Sequence, residues 1–232
     1  IKLIDAKDNL SIQVHPDNEY AKRVEHEFGK TEIWYVIDAT DDAQLVYGFK
    51  NKISKEEFKK AIEENTLLDV LNTVKVKKGD LFFIEAGTVH AIGKGVLIAE
   101  IQQNSNSTYR VYDYGRIGKD GKPRELHIKK AVDVSVTEPP KYDIKPMGET
   151  VKADGYDSTL LTKCDLFTVN HYDVNKKLTL ETDEKSFNHI LVINGSGNIN
   201  EKELNKGDSF FVPAGYGKYE ITGNCEIIVT NI

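Results

Sequence analysis

Cysteine, long apolar runs and blocks of basic residues are scarce or missing in this 232-residue sequence, and each shortage excludes a class of protein. The two cysteines, Cys164 and Cys225, form no Cys-x-x-Cys pair, which excludes a zinc-finger-type thiolate site and fits a reducing compartment such as the cytoplasm. No run reaches the ~18 apolar residues of a membrane span, so no membrane association is expected. Without a basic block, nucleic acid is not an expected partner either.

The composition that remains is that of an ordinary globular protein. Hydrophobic residues make up 39% of the chain and charged residues 29%, and the net charge is −6 with both signs interspersed. The length is enough to bury a substantial core. The chain starts at Ile1 in a strand-like pattern and has its one methionine at Met147, so we expect the natural protein to contain a further N-terminal piece.

Short alternating segments, separated by Gly, Asn and Asp turns, predict a mainly β fold. A helical insertion is expected at about 54–73, where Ser54 and Glu57 have the spacing of a capping box and an apolar stripe follows. A second helix is expected at 17–28, with Gly29 as its C-terminal stop. Helices are therefore predicted to be small additions to a β framework.

An internal repeat divides the sequence into two related parts. The segment 77–92 is similar to 205–221, and a Gly-Asp turn, a Phe-Phe pair and an Ala-Gly pair each recur 128 residues later. The Pro-rich stretch 136–150 lies between the copies and is the best linker candidate. We therefore expect a first module over 1–135 and a second over 151–232.

The stretch LSIQVHPD places three polar side chains on one face of a predicted strand. Because side chains alternate with a period of two, Ile12 and Val14 face a core. The opposite face then carries Ser11, Gln13 and His15. Such a face is ordinarily exposed to solvent. Whether it instead forms a binding site has to be judged from the other motifs of the sequence.

A second strand, GKTEIWYV, carries a carboxylate on an apolar face. Glu32 points the same way as Trp34 and Val36, and burial of an unpaired carboxylate is costly. Glu32 therefore requires a cation or a metal as its partner. The alternative is a surface ion pair between Lys30 and Glu32.

Four nitrogen or oxygen donors, Gln13, His15, Glu32 and His90, come from three strand-like segments. Imidazole and carboxylate ligands suit Zn²⁺, Fe²⁺ or Mn²⁺. Two histidines and one carboxylate alone would resemble the facial triad of non-haem iron, whereas a carboxamide as fourth ligand favours a redox-inert metal.

The second copy of the repeat lacks the histidine. His90 aligns with Lys218, so the imidazole is not a shared part of the scaffold, and a ligand is the better explanation for it. Asn188 lies near the position that corresponds to Glu32. The second module is therefore expected to hold no metal.

These motifs resemble those of a protein superfamily and, more narrowly, of one family within it. GDLFFIEAGTVHAI resembles the second conserved motif of the cupin superfamily, although Glu85 replaces the usual proline, which the second copy retains as Pro213. LSIQVHPD, GKTEIWYV and the segment 87–116 resemble the type I mannose-6-phosphate isomerases. This resemblance implies two cupin-like jelly-roll β-barrel modules, with a small helical insertion in the first.

The resemblance also implies an activity and a set of site residues. It implies the interconversion of mannose 6-phosphate and fructose 6-phosphate, with one Zn²⁺ per chain bound by Gln13, His15, Glu32 and His90. It implies further that Arg110 is the catalytic arginine, that Ser11 and Lys30 line the sugar-phosphate site, and that Glu100 belongs to the same pocket.

The residue chemistry leaves the general base open. Glu100 is the first choice, because a partly desolvated carboxylate can have its pKa raised towards neutrality. A hydroxide held by the metal is one alternative, and Glu100 as a salt-bridge partner that orients Arg110 is another. The competing functions are a non-catalytic, metal-containing cupin that binds sugar or regulates, and an iron-dependent dioxygenase on the same scaffold. The remaining histidines show no convergent partners in the sequence: His26, His127, His171 and His189.

Overall fold

The computed structural model describes residues 1–232, which divide into two compact units, Ile1–Ile144 and Lys145–Ile232. Strands dominate both units, so the predicted mainly β fold is confirmed. None of the four helices combines the length and the apolar character that crossing a membrane would require.

The first unit contains two antiparallel sheets and four short helices. One sheet has the strand order β1-β8-β3-β6 and the other the order β5-β4-β7-β2-β9. The strands are β1 (Lys2–Asp5), β2 (Ile12–Val14), β3 (Glu32–Ala39), β4 (Gln44–Phe49), β5 (Leu71–Lys75), β6 (Leu81–Ile84), β7 (His90–Ile92), β8 (Val96–Gln102) and β9 (Tyr109–Tyr112). The helices are α1 (Asn18–Val24), α2 (Lys55–Glu63), α3 (Leu67–Val70) and α4 (Ile128–Val134).

The second unit is a single antiparallel sheet with the path β10-β11-β12-β17-β14-β15. Two further strands extend it, because β13 pairs with β17 and β16 pairs with β14. Its strands are β10 (Thr150–Ala153), β11 (Tyr156–Lys163), β12 (Thr168–Val174), β13 (Lys177–Thr182), β14 (Asn188–Ile199), β15 (Lys202–Asn205), β16 (Ser209–Val212) and β17 (Gly217–Asn231).

The five-stranded sheet of the first unit is buried on both faces. One face packs against the other sheet, in a core that joins Trp34 and Phe82 to Tyr47. The other face is covered by the helices, and Ile12 and Val14 contribute to that second core. The polar side chains of β2 therefore face the space between the two sheets and not bulk water, because Ile12 and Val14 occupy the helix side.

Both predicted helices form, but each is shorter than expected. Ser54 caps α2 with the reciprocal hydrogen bonds of the predicted capping box. The expected helix over 54–73 is wrong at its end: Asn65, at a φ of +57°, interrupts it, and the chain enters β5 at Leu71. A positive φ is incompatible with a right-handed helix, which explains the break.

The helix expected over 17–28 ends at Val24, and Gly29 is not its stop. Glu25 is the C-cap, and His26, at a φ of +57°, turns the chain away. Gly29 serves a different purpose. A Cβ on Gly29 would lie 2.3 Å from the backbone carbon of Asp17, so glycine allows two chain segments to pass at close range.

The repeated segment folds in the same way in both units. Gly79 and Gly207 adopt φ angles of +90° and +93°. In each turn the aspartate after the glycine accepts a hydrogen bond from the backbone N–H three residues before it. The distance is 2.9 Å from Lys77 to Asp80 and 2.8 Å from Asn205 to Asp208. The strand after each turn pairs in the same register, with Glu32 opposite Ile84 in the first unit and Asn188 opposite Val212 in the second. Asn188 therefore occupies the position of Glu32.

The alignment of His90 with Lys218 is wrong by one residue. Lys218 is exposed, whereas Tyr219 is buried, and its hydroxyl lies 2.8 Å from the donor Nδ2 of Asn188. The second copy is one residue longer, and Gly217, at a φ of +84°, opens the strand there. Tyr219 is thus the inward-facing counterpart of His90, because the added residue exchanges the two faces of the strand.

Candidate metal centre and active site

Three metal-ligating side chains meet between the two sheets of the first unit. One ligand atom from each of His15, Glu32 and His90 lies within 4.8 Å of the others, and all three side chains are buried. His15 follows β2, Glu32 begins β3 and His90 begins β7. The predicted convergence of these three residues is therefore confirmed.

Backbone carbonyls orient both imidazoles. His15 Nδ1 lies 2.8 Å from the carbonyl oxygen of Ser107, and His90 Nδ1 lies 2.8 Å from that of Thr88. Because a carbonyl only accepts, each Nδ1 must carry the proton and donate it, which leaves a lone pair on Nε2 when the ring is neutral. The two Nε2 atoms lie 3.9 Å and 3.5 Å from Oε1 of Glu32.

The unpartnered atoms of this cluster fit a cation. His15 Nε2 and Glu32 Oε1 are buried and have no hydrogen-bond partner in the protein. Burial lowers the pKa of His15 well below its usual value and lowers that of His90 to about 4, so both rings are neutral at pH 7. Burial also raises the pKa of Glu32. A positive ion near the Nε2 atoms of both histidines would stabilise the free lone pair of His15 and the poorly solvated carboxylate of Glu32.

Gln13 reaches the same cluster. It stands opposite His90 in the pairing of β2 with β7, and its amide nitrogen lies 3.4 Å from His90 Nε2. Since the oxygen and nitrogen of a carboxamide can be exchanged by a rotation of the end group, its oxygen can take the same place. Ser11 is buried just before β2, and the structure gives it no hydrogen bond to the other site residues.

A buried charge network adjoins the cluster. Lys30 Nζ lies 2.9 Å from Glu32 Oε2 and 3.8 Å from Glu100 Oε1. The pair of Lys30 and Glu32 exists, but it is buried, so the surface-pair alternative is wrong. Glu100 also accepts a hydrogen bond of 2.7 Å from Lys2. The contacts of Glu100 are therefore to lysines, and the alternative in which Glu100 orients Arg110 does not match them.

Arg110 lies on the same side of the sheet as the cluster. It stands opposite Gln13 in the pairing of β2 with β9, so the two side chains share a face. Its Nη1 donates to the carbonyl of Glu125 at 3.0 Å, whereas its Nε is buried without a partner. The guanidinium thus has donor capacity left for a ligand in the space between the sheets.

Sequence reasoning missed two residues of this neighbourhood. Lys2 lies in a strand and belongs to no motif in the sequence. It contacts Glu100 because β1 pairs with β8 and the two residues stand opposite each other. His127 was expected to have no convergent partner, yet its Nδ1 lies 3.2 Å from the backbone N–H of Arg110. Both contacts span long sequence separations, which the local pattern cannot reveal.

Comparison with known proteins gives similar relatives along the entire chain. Residues 157–232 match the family described as mannose-6-phosphate isomerase, cupin domain. The chain is 41% identical to the mannose-6-phosphate isomerase ManA of Bacillus subtilis, over all of this chain and 74% of that protein. It is 38% identical to a mannose-6-phosphate isomerase of Streptococcus mutans, over 99% of this chain and 72% of that protein.

The structural comparison agrees with the sequence comparison. The crystal structure of the mannose 6-phosphate isomerase from Bacillus subtilis superimposes with a TM-score of 0.91 at 39% identity, over 99% of this chain and 74% of that one. A putative mannosephosphate isomerase from Archaeoglobus fulgidus shares the fold, with a TM-score of 0.75 at 22% identity over 98% of this chain and 69% of that one.

Proposed function

This chain belongs to the mannose-6-phosphate isomerase family, and we propose that its first unit interconverts mannose 6-phosphate and fructose 6-phosphate beside His15, Glu32 and His90. The observation that carries the proposal is the buried three-residue cluster with unpartnered His15 Nε2 and Glu32 Oε1. Lys30, Glu100 and Arg110 surround this cluster or share its face of the sheet. A site that only bound a neutral sugar would not need so many buried charges.

We propose Zn²⁺ as the ion, held by His15, Glu32, His90 and the carboxamide oxygen of Gln13. Nitrogen and oxygen donors of this kind suit zinc, and no thiolate is present among them. When bound, such an ion acts as a Lewis acid that polarises the sugar carbonyl. The Ser107 and Thr88 carbonyls would keep both imidazoles turned towards it.

The reaction moves one proton between C1 and C2 of the sugar through an enediol, which requires a group that accepts the proton and returns it. We propose Glu100 for this role. The buried carboxylates of the unit are Glu32, Glu100 and Asp113, and Asp113 is held by two arginines. Lys30, which lies between Glu32 and Glu100, reduces the repulsion between these two carboxylates.

Negative charge develops on the enediolate oxygens, and we assign its stabilisation to Arg110. A guanidinium that is already held in place costs little reorganisation at the moment of reaction. Its Nε has no protein partner, which leaves a donor for substrate. Ser11 and Lys30 are the proposed contacts to the sugar phosphate, since a hydroxyl and an ammonium both suit phosphate oxygens.

The proposed domain organisation assigns the catalytic and metal-binding role to a jelly-roll module at 1–135. Residues 136–150 are the linker, and 151–232 form a second jelly-roll module without a metal. Support for the last point comes from Asn188 and Tyr219, which stand in the places of Glu32 and His90 and satisfy each other by a hydrogen bond.

A coupled assay with mannose 6-phosphate tests the function directly. Treatment with a chelator should abolish turnover, and Zn²⁺ should restore it, with elemental analysis reporting the ion in the untreated protein. Turnover that survives complete removal of metal would overturn the role of the ion. Iron accompanied by O₂ uptake would instead support a dioxygenase, and metal-dependent sugar binding without turnover would support a binding module.

A further inference from the structure

Asp113 is a buried carboxylate that the proposed reaction does not use. It follows β9 directly and is 7% exposed. Arg124 donates from Nε to Oδ2 at 2.7 Å, and Arg116 donates from Nε to Oδ1 at 3.1 Å. The Nη2 atoms of both arginines also contact Oδ1. Two guanidinium groups thus clamp one carboxylate.

This clamp closes an exposed excursion of the chain. Residues 117–123 lie mostly in solvent, and they leave and rejoin the body of the unit at Arg116 and Arg124. Asp113 holds both of these ends. Because few apolar contacts fix such a segment, the ion pairs supply much of its order.

The segment that follows the clamp holds Arg110 at three points. The carbonyl of Glu125 accepts from Arg110 Nη1 at 3.0 Å. The backbone N–H of Arg110 donates to His127 Nδ1 at 3.2 Å, and the backbone N–H of His127 donates to the Arg110 carbonyl at 2.8 Å. Since Glu125 is the neighbour of Arg124 in the chain, fixing Arg124 also fixes the carbonyl that orients the Arg110 guanidinium.

We propose that Asp113 is a positioning residue for the isomerisation, which acts through Arg124 and the Glu125 carbonyl to hold the Arg110 guanidinium in its productive place. The inference rests on the proposed function, because it assumes that Arg110 acts on the substrate. Arg110 lies near the positive charges of Arg124 and Arg116, and the negative charge of Asp113 offsets their repulsion. Its loss would release the segment and leave three guanidinium groups to repel one another.

The experiment is steady-state kinetics of the zinc-loaded full chain with Asp113→Asn, which keeps the shape of the side chain and removes its charge. We expect kcat to fall by about tenfold, with KM within about threefold of the wild-type value, because a misplaced Arg110 weakens transition-state more than ground-state contacts. Asp120→Asn is the matched control. Asp120 lies in the same excursion and accepts only from the backbone N–H of Lys122, so its loss should leave kcat unchanged.

A double-mutant cycle with Arg110→Ala separates positioning from a general structural effect. If Asp113 acts through Arg110, Asp113→Asn should lower kcat no further in the Arg110→Ala background. An equal loss in both backgrounds, or a wild-type kcat for Asp113→Asn alone, overturns the inference. If Asp113→Asn does not fold, Arg124→Lys gives the same test. It keeps the positive charge and loses the two-pronged guanidinium contact with Asp113. Wild-type turnover by Arg110→Ala itself would overturn the proposed role of Arg110, which is a separate outcome.

Discussion

At the scale of single residues, Glu32 combines properties that a buried side chain seldom has together. It is fully buried, one of its oxygens is paired with Lys30, and the other faces His15 and His90. Burial and the charge of Glu100 raise the pKa of Glu32, against the opposing effect of Lys30. Burial of such a carboxylate lowers the stability of the fold, and a bound cation would compensate for that cost.

We therefore expect Glu32→Gln to lose bound metal while it keeps the fold. The substitution removes the negative donor and preserves the shape, so zinc affinity should fall by at least about tenfold. Zinc content after dialysis against a weak chelator measures the effect. Glu85→Gln is the control and should keep its zinc. It removes a partly exposed carboxylate whose contacts are to Lys141 at 3.9 Å and to the Tyr142 hydroxyl at 3.5 Å, away from the three ligating residues. Undiminished zinc in Glu32→Gln would contradict a role of this carboxylate as a ligand.

Arg110 gives a second prediction at this scale. Arg110→Ala should lower kcat by about 100-fold or more, with little change in zinc content, because its proposed role is to stabilise charge in the transition state and not to bind the metal. Steady-state kinetics with mannose 6-phosphate, together with metal analysis, measures both quantities. A turnover within about threefold of the wild-type value would show that the proposed electrostatic role is wrong.

At the scale of secondary-structure elements, Glu25 joins three of them. As the C-cap of α1, it accepts from the Tyr109 hydroxyl on β9 at 2.7 Å and from Lys130 on α4 at 2.7 Å. The hydrogen bond from Lys130, followed by that from Tyr109, holds the pKa of Glu25 below its usual value. Since α1 follows the proposed metal ligand His15 and β9 carries Arg110, these contacts connect the elements around the candidate site.

The lowered pKa of Glu25 fixes the sign of a pH effect on stability. The folded protein binds this proton less readily than the unfolded chain, so the stabilisation is present above the unfolded pKa and is lost as pH falls through the folded one. Glu25→Gln should therefore cost about 1 kcal/mol near pH 7 and much less near pH 3. Thermal unfolding at both pH values measures the difference. The control is Glu63→Gln, which removes an exposed carboxylate of α2 and should have little effect on stability at either pH. If Glu25→Gln lost the same stability at both pH values, the ionic contribution would be ruled out.

In the molecule as a whole, each unit has a hydrophobic core of its own, and the three residues that could hold a metal ion lie in the first unit. The single tryptophan, Trp34, belongs to that unit, and its ring centroid lies 5.1 Å from that of His90. Tryptophan fluorescence therefore reports on the unit that would bind the ion.

Zinc should raise the unfolding midpoint that is followed by Trp34 fluorescence. An ion that binds only the folded state stabilises it by about 2.7 kcal/mol when its free concentration is about 100 times the Kd. Urea titrations with and without a chelator, read by fluorescence, measure this shift. The Glu32→Gln protein should show no such shift, and a zinc-independent midpoint in the wild-type protein would contradict a metal site beside Trp34.

The local properties of the chain could be predicted from its amino-acid order alone. Alternation along β2 separated Ile12 and Val14 from Gln13 and His15, and the spacing of Ser54 and Glu57 predicted the cap of α2. These features depend on residues that are a few positions apart, so the local sequence is enough to predict them. The family resemblance rested on equally short motifs, and the relatives of the chain confirm it.

The contacts between distant groups became visible in the folded chain. It brought Lys2 to Glu100 and the 124–127 segment to Arg110, and it placed Tyr219, not Lys218, in the position of His90. Strand pairing and register set these contacts, and a single added residue exchanges the faces of a strand. Helix ends were likewise decided outside the local pattern, since Asn65 and His26 adopt backbone conformations that composition does not reveal.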